Sequence, residues 1–251
     1  MPLLVSQTEP HIVQVTIDNQ AKRNAMPRQM LAELADLWDK LAADHQCRAV
    51  IVTGAGDKAF CAGADIGGDL TASEETATMI NKALLKTHVF PKPVIAAVNG
   101  VCAGGGVELL LATDMRCAAD HARFGLPEVR FAIYPFGGAA IKLIQQIGHV
   151  HAMDLILTGR LVDAADACRL GLVNEVVAAD KVQDWALAKA RMIAQNSPTA
   201  VQAVKTQIAS TISDHARSRE AMEQELGDRV RASADFKEGV AAFLEKRTPN
   251  Y

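Results

Sequence analysis

The chain has 251 residues, 49% of them hydrophobic, with 26 basic and 29 acidic side chains and a net charge of −3. That size and composition support a buried core and exclude a disordered or fibrous chain. Acids and bases are spread along the sequence, so no basic footprint for nucleic acid is present, although a local patch for a phosphorylated ligand is compatible with it.

No apolar run approaches the roughly 20 residues of a bilayer span, and "MPLLVSQTEPHIVQV" lacks the charged start and long apolar stretch of a secretory signal. Neither a membrane nor a nucleic-acid partner is expected. The five cysteines (Cys47, Cys61, Cys102, Cys117 and Cys168) are odd in number and have no C-x-x-C spacing. They read as reduced, mostly buried thiols of a cytoplasmic protein.

In chain order, "HIVQVTID" (11–18) alternates apolar and polar residues, which predicts a strand. Helical spacing of Met30, Leu31, Leu34, Leu37, Trp38 and Leu41 predicts a helix over 27–44, with Pro27 in its first turn. "AVIVTG" (49–54) and "PVIAAVNG" (93–100) are continuous apolar runs closed by glycine, as strands buried on both faces read. Between them a helix is predicted over 72–90, capped by Ser73. "GVELLLATD" reads as helix and "MRCAAD" as strand. This rhythm predicts an α/β protein.

From about residue 138 helical patterns follow one another, with a short strand expected at "NEVV" (174–177) and a longer helix at 181–195. The division expected is a core over 1–195 and a charged helical region over 196–251, its apolar residues spaced for one face. No internal sequence repeat is evident.

Two turns of small residues are candidates for chemistry: "AFCAGADI" (59–66) and "CAGGGVE" (102–108). Each follows a strand-like run, and glycine leaves backbone N–H groups open to a ligand. If 104–106 opens a helix, its first N–H groups lack intrahelical partners and favour an anion. Two such turns facing one point would form an oxyanion hole. Close strand-to-helix packing explains the same glycines equally well. No Lys-Ser or Lys-Thr follows them as in a P-loop, and their spacing is not G-x-G-x-x-G.

Glu108 lies in the first turn of an apolar helix, where it either complements the helix dipole or does chemistry. Glu128, among Phe124, Leu126, Pro127, Val129 and Phe131, is either a surface acid or a desolvated one with a raised pKa. Facing one site, the two would act as acid and base. "HVH" (149–151) with Asp154 lacks a third metal ligand, and no metal is expected. Cys61 and Cys102 have no histidine near in sequence and read as buried thiols, and Asp114 reads as a backbone anchor.

Taken jointly, "DNQAKRNAM" (18–26), "VIVTGAGDKAFCAGADI" (50–66), "KPVIAAVNGVCAGGGVEL" (92–109), "DMRCAADHARFGLPEV" (114–129), "LILTGRLVDAADACRLGLVNEVV" (155–177) and "AFLEKRTPNY" (242–251) resemble the enoyl-CoA hydratase/isomerase (crotonase) superfamily. The pieces stand in family order over nearly the whole chain. The resemblance implies an α/β spiral of β-β-α units with a C-terminal helical trimerisation region, assembled as a homotrimer or homohexamer. It implies an acyl-CoA substrate and no separate cofactor, coenzyme A being part of the substrate.

By position, Ala64 and Gly105 match the family's two N–H donors to the thioester oxygen, and Glu108 and Glu128 match its two catalytic glutamates. Glu108 would deprotonate water that attacks C3, and Glu128 would deliver a proton to C2. CoA would lie against the basic turn of Lys22 and Arg23 and against Ala62, Asp65 and Ile66. Lys246 matches a lysine that approaches CoA bound to a neighbouring subunit, and Phe243 an aromatic on the acyl side. The activity implied is 2-enoyl-CoA hydration. Double-bond isomerisation, another acyl-CoA lyase reaction, or a non-catalytic acyl-CoA- or RNA-binding relative are the alternatives.

One segment departs from the pattern. Hydratases of the family usually continue "G-x-x-P-G-x-G-G", whereas this chain reads "AIYPFGGAAIKL" (132–143). In an ungapped match Phe136 replaces a glycine that lines the acyl pocket and crowds Glu128, and Tyr134 replaces a small aliphatic. A one-residue slip aligns Gly137 and Gly138 instead.

Overall fold

Two sheets run through the body of the protein, and the chain steps from one to the other and back. The computed structural model describes residues 3–65 and 74–251. An antiparallel hairpin of β1 (Leu3–Glu9) and β2 (Ile12–Ile17) leads through a 3₁₀ turn (Gln20–Lys22) into α1 (Arg28–Ala43). Then come β3 (Ala49–Gly54), β4 (Ala59–Cys61) and α2 (Glu74–Ala83), followed by β5 (Val94–Val98), β6 (Val101–Ala103) and α3 (Gly105–Leu110). Next are β7 (Met115–Ala119), β8 (Arg123–Gly125), a second 3₁₀ turn (Pro127–Phe131), α4 (Ala139–Ile147) and α5 (His149–Thr158). The body closes with β9 (Leu161–Asp163), α6 (Ala164–Arg169), β10 (Glu175–Val177) and α7 (Val182–Ala194). Three helices follow: α8 (Pro198–Arg217), α9 (Glu220–Arg231) and α10 (Ala234–Glu245).

The first sheet has the order β1-β2-β3-β5-β7-β10 and the second β4-β6-β8-β9. The pairs β3–β5, β5–β7, β4–β6 and β6–β8 are all parallel. Each turn of the chain thus lays one strand on each sheet, and the first two turns add a helix. This is the β-β-α spiral that the resemblance implies.

The fully buried β3 follows from covering both sheet faces. Alternate residues point opposite ways. Val50 and Val52 join the main core, while Ala49 and Ile51 face a second layer with Val182, Ala186 and Ala190 of α7. Those α7 residues are four apart and so form one face. Trp38 joins α1 to the end of α2 and the segment after it: its indole N–H donates to the Ala83 carbonyl at 2.9 Å, and its ring lies 5.0 Å from that of Phe90.

Several expectations change. The helix predicted to reach residue 90 ends at Ala83, because Leu85 takes a left-handed conformation (φ 48°) that reverses the chain. Its expected cap, Ser73, lies outside the described residues. "VNGVCAGGG" is two strands rather than one strand and a turn, since β6 follows directly on Gly100. β1 and the short strands β4, β6, β8 and β9 were not expected. β1 is mostly exposed, and three residues are too few to show a period of two. No described helix is long and apolar enough to cross a membrane.

Candidate active site

The two small-residue turns abut. Gly63 has φ 107°, and a methyl placed on it would lie 3.3 Å from the Gly105 nitrogen. A methyl on Gly105 would lie 3.4 Å from the Ala64 nitrogen. The loop after β4 is pinned in this place by Met26, whose N–H donates to the Gly63 carbonyl (2.8 Å) and whose carbonyl accepts from Asp65 (3.0 Å). Those bonds use the residues on either side of Ala64. The Ala64 and Gly105 N–H groups themselves donate to no acceptor among the described residues, so two unspent donors sit side by side at the start of α3.

Each glycine of the run has its own reason. Gly104 precedes α3 with φ 54° and ψ −127°, a conformation that strains other residues, and a methyl there would meet Glu128 Oε1 at 3.1 Å. Gly105 lies over Ala64. Gly106 lets α3 press onto β4, since a methyl would stand 2.2 Å from the Cys61 carbonyl oxygen. Packing and donor exposure, alternatives in the sequence, are both present.

Glu108 is 5% exposed, in the first turn of α3. Its Oε1 accepts from Ala139 N–H at 3.4 Å, and the Gly137 N–H also donates to its carboxylate. Gly137 fits so closely that a methyl would lie 2.4 Å from Glu108 Oε2. Glu128 projects from the 3₁₀ turn across Gly104, and its buried Oε2 has no hydrogen-bond partner.

Burial pushes both carboxyl pKa values upward, and Glu128 is raised further by the charge of Glu108. The Ala139 and Gly137 donors work the other way and favour the ionised form of Glu108. The surroundings therefore divide the pair: Glu108 is the group better suited to carry the charge, and Glu128 the proton.

The remaining residues of interest lie around this centre. Lys22 Nζ is 2.6 Å from Asp65, and Ala62 N–H donates to the Arg23 carbonyl at 3.0 Å, so the basic turn and the "CAGAD" turn are tied together. Ile66 lies outside the described residues. Phe243 packs edge-on against Phe131 with centroids 5.1 Å apart, and a methyl on Gly239 would lie 2.2 Å from the Phe131 carbonyl. Helix α10 thus braces the turn that carries Glu128. Lys246 ends α10 in a left-handed conformation, exposed.

Phe136 stands elsewhere than the ungapped reading suggested. Its ring lies against α9, where a methyl on Gly227 would be 1.9 Å from the ring edge, and the Arg231 guanidinium covers it at 4.7 Å. The contact beside Glu108 is made by Gly137. Cys61 and Cys102 are completely buried, their thiol pKa values raised by desolvation, Cys61 to about 12. Asp114 Oδ2 accepts from Val94 N–H at 2.7 Å, as an anchor does. Asp154 pairs with Arg160.

Sequence reasoning missed Lys86, Lys142 and Glu223. All three are buried: Lys86 is ion-paired to Glu223, and the Lys142 amine donates to the Leu85 carbonyl at 2.6 Å. A lysine inside the apolar pattern of α4 was a legible signal for Lys142. Glu223 gives none, lying in a helix charged all round.

Two backbone N–H groups without acceptors beside two buried carboxyl groups suit a class of enzymes that polarise a carbonyl and move protons next to it. The chain matches the enoyl-CoA hydratase/isomerase family model over residues 7–251 and belongs to that family, as an enzyme of the crotonase superfamily. It is 38% identical to enoyl-CoA hydratase EchA19 of Mycobacterium tuberculosis over 96% of this chain and 93% of that protein. Two solved structures superpose with a TM-score of 0.90. One is an enoyl-CoA hydratase/isomerase from Pseudoalteromonas atlantica T6c (32% identical, covering 99% of each chain). The other is carnitinyl-CoA hydratase from Mycobacterium avium (36% identical, covering 99% of this chain and 97% of that one).

Proposed function

We propose that this enzyme adds water reversibly across the C2–C3 double bond of a 2-enoyl-CoA, with Ala64 and Gly105 N–H groups on the thioester oxygen. Their hydrogen bonds polarise the conjugated double bond and stabilise the enolate formed when C3 is attacked. Glu108 orients and deprotonates the water, and Glu128 protonates C2. The observation that carries this reading is two buried carboxyl groups, Glu108 accepting from backbone N–H groups and Glu128 with an unpartnered Oε2, beside two unspent N–H donors. Relatives named as enoyl-CoA hydratases support it.

CoA would lie along Lys22, Arg23, Ala62 and Asp65, with Lys246 reaching it from a neighbouring subunit, and no cofactor beyond the substrate is needed. A cytoplasmic homotrimer or homohexamer fits the exposed Val204, Ile208, Met222, Leu226 and Leu244 on α8 to α10. Sedimentation velocity reads the assembly directly.

The activity test follows loss of the conjugated thioester absorbance with but-2-enoyl-CoA and purified protein. Hydration is expected, with the product carrying oxygen from labelled water at C3. Migration of the double bond in a 3-enoyl-CoA without oxygen incorporation would identify an isomerase instead.

A further inference from the structure

With the thioester oxygen on Ala64 and Gly105 as proposed above, the acyl chain beyond C3 would run on past Glu108, where Gly137 lies against Leu84 and a buried polar pair follows. Gly137 touches Glu108, and the next residue, Gly138, touches Lys86: a methyl on Gly138 would lie 3.1 Å from Lys86 Cγ. Lys86 Nζ in turn is 2.6 Å from Glu223 Oε2. An unbroken line of contacts therefore runs from Glu108 through two consecutive glycines to a buried ion pair.

Helix α9 supplies the far side of this line with one face, at positions 220, 223, 227 and 231. Glu220 accepts from the Asn81 amide at 2.8 Å, Glu223 meets Lys86, and Gly227 and Arg231 hold Phe136. Tyr134 stacks on Phe136 with centroids 5.1 Å apart, and its hydroxyl feels both Glu223 and Glu108. Lys86 is held in place from outside, because the next carbonyl, that of Thr87, accepts from Ser213 and Arg217 of α8, each at 2.6 Å.

Glu223 is only 4% exposed, and its Oε1 is buried without any hydrogen-bond partner. Packing a hydrocarbon against it would leave that oxygen unsatisfied, which is costly away from water. A neutral donor would satisfy it. Lys86 already balances the charge of Glu223, so an ammonium on the acyl chain would meet a like charge at Lys86 and a carboxylate would meet one at Glu223.

We propose that Glu223 accepts a hydrogen bond from a hydroxyl group on the distal acyl chain, making hydroxylated 2-enoyl-CoAs the preferred substrates over plain hydrocarbon ones. The proposal rests on the hydratase reading above and names the substrate class of that site. Glu223 acts on specificity, and the oxyanion turns and Glu108 on the chemistry.

The test compares kcat/KM for hex-2-enoyl-CoA with its 5-hydroxy, 6-hydroxy, 6-amino and 6-carboxy derivatives. At least one hydroxylated substrate should exceed the hydrocarbon by tenfold or more, with the amino and carboxy forms below both. Glu223→Leu should abolish the hydroxyl preference, and Glu223→Gln, which keeps an acceptor oxygen, should retain part of it. The double variant Lys86→Met/Glu223→Leu leaves no unpaired charge and repeats the measurement should the single change fail to fold. Equal or better turnover of the hydrocarbon by the unaltered enzyme, or a hydroxyl preference that survives in the double variant, overturns the proposal while leaving hydration intact. Hydration of none of the five compounds overturns the hydratase reading and this proposal with it.

Discussion

The two ends of the site are built from different materials. At the end formed by the donor turns, the material is backbone: Gly63, Ala64 and Gly104 to Gly106 bring two main-chain turns together with little side-chain bulk between them. At the far end, side chains from α2's exit, α4 and α9 meet as a buried ion pair and its neighbours. Backbone fixed by parallel strands on either side has little freedom to differ. Side chains contributed by a separate helix can change without disturbing it, which is why the proposals place chemistry at the first end and selection at the second.

The largest effect expected is on the carboxyl pair at their junction. Glu108→Gln and Glu128→Gln should each lower kcat by roughly 10²- to 10⁴-fold with little change in CoA affinity, read from steady-state hydration and a CoA-binding titration. Near-full activity of Glu128→Gln would remove it from the acid role.

A contrast in stability comes next. Gly106→Ala forces a methyl against the Cys61 carbonyl and should cost about 1–3 kcal/mol in a denaturant melt. At the other end, Lys86→Met strands Glu223 and should cost about 3–5 kcal/mol, whereas Lys86→Met/Glu223→Leu should be near neutral. If the double variant is as unstable as the single one, the far end is structural scaffolding rather than an adaptable surface.

A smaller, pH-dependent effect follows from the raised pKa of Glu128. Below its unfolded pKa the group is protonated in both states and contributes no penalty. As pH rises toward the folded value, the unfolded chain ionises first and the native state loses stability. Glu128→Gln is spared this loss, so its Tm relative to the unaltered enzyme should climb from about pH 4 to about pH 8. A difference independent of pH would mean that Glu128 is not desolvated.

The smallest effect is assigned to Lys22, half-exposed in its pair with Asp65. Lys22→Ala should leave Tm and kcat unchanged and raise KM for the acyl-CoA several-fold, more at low salt than at high.

The strands β3 and β5 were legible because burial on both faces writes an unbroken apolar run, and α1 because its core face repeats at helical spacing. The spiral was not legible from periodicity. Its strands on the second sheet have three residues each, and successive turns are held by backbone pairing, which leaves no repeating side chain. The glycine turns and both glutamates could be named from the sequence because short motifs carry them. The position of Phe136 could not, since a ring beside a glycine pair is equally able to face the acyl site or a neighbouring helix.

The sequence by itself determined the class of core, the two donor turns and the identity of the acid–base candidates, since each depends on residues close together in the chain. Only the tertiary structure decided that both carboxyl groups are buried beside the donor turns and that Glu223 meets Lys86. Burial and charge pairing arise between distant segments, Lys86 and Glu223 being 137 residues apart, and no local pattern encodes the distance between them.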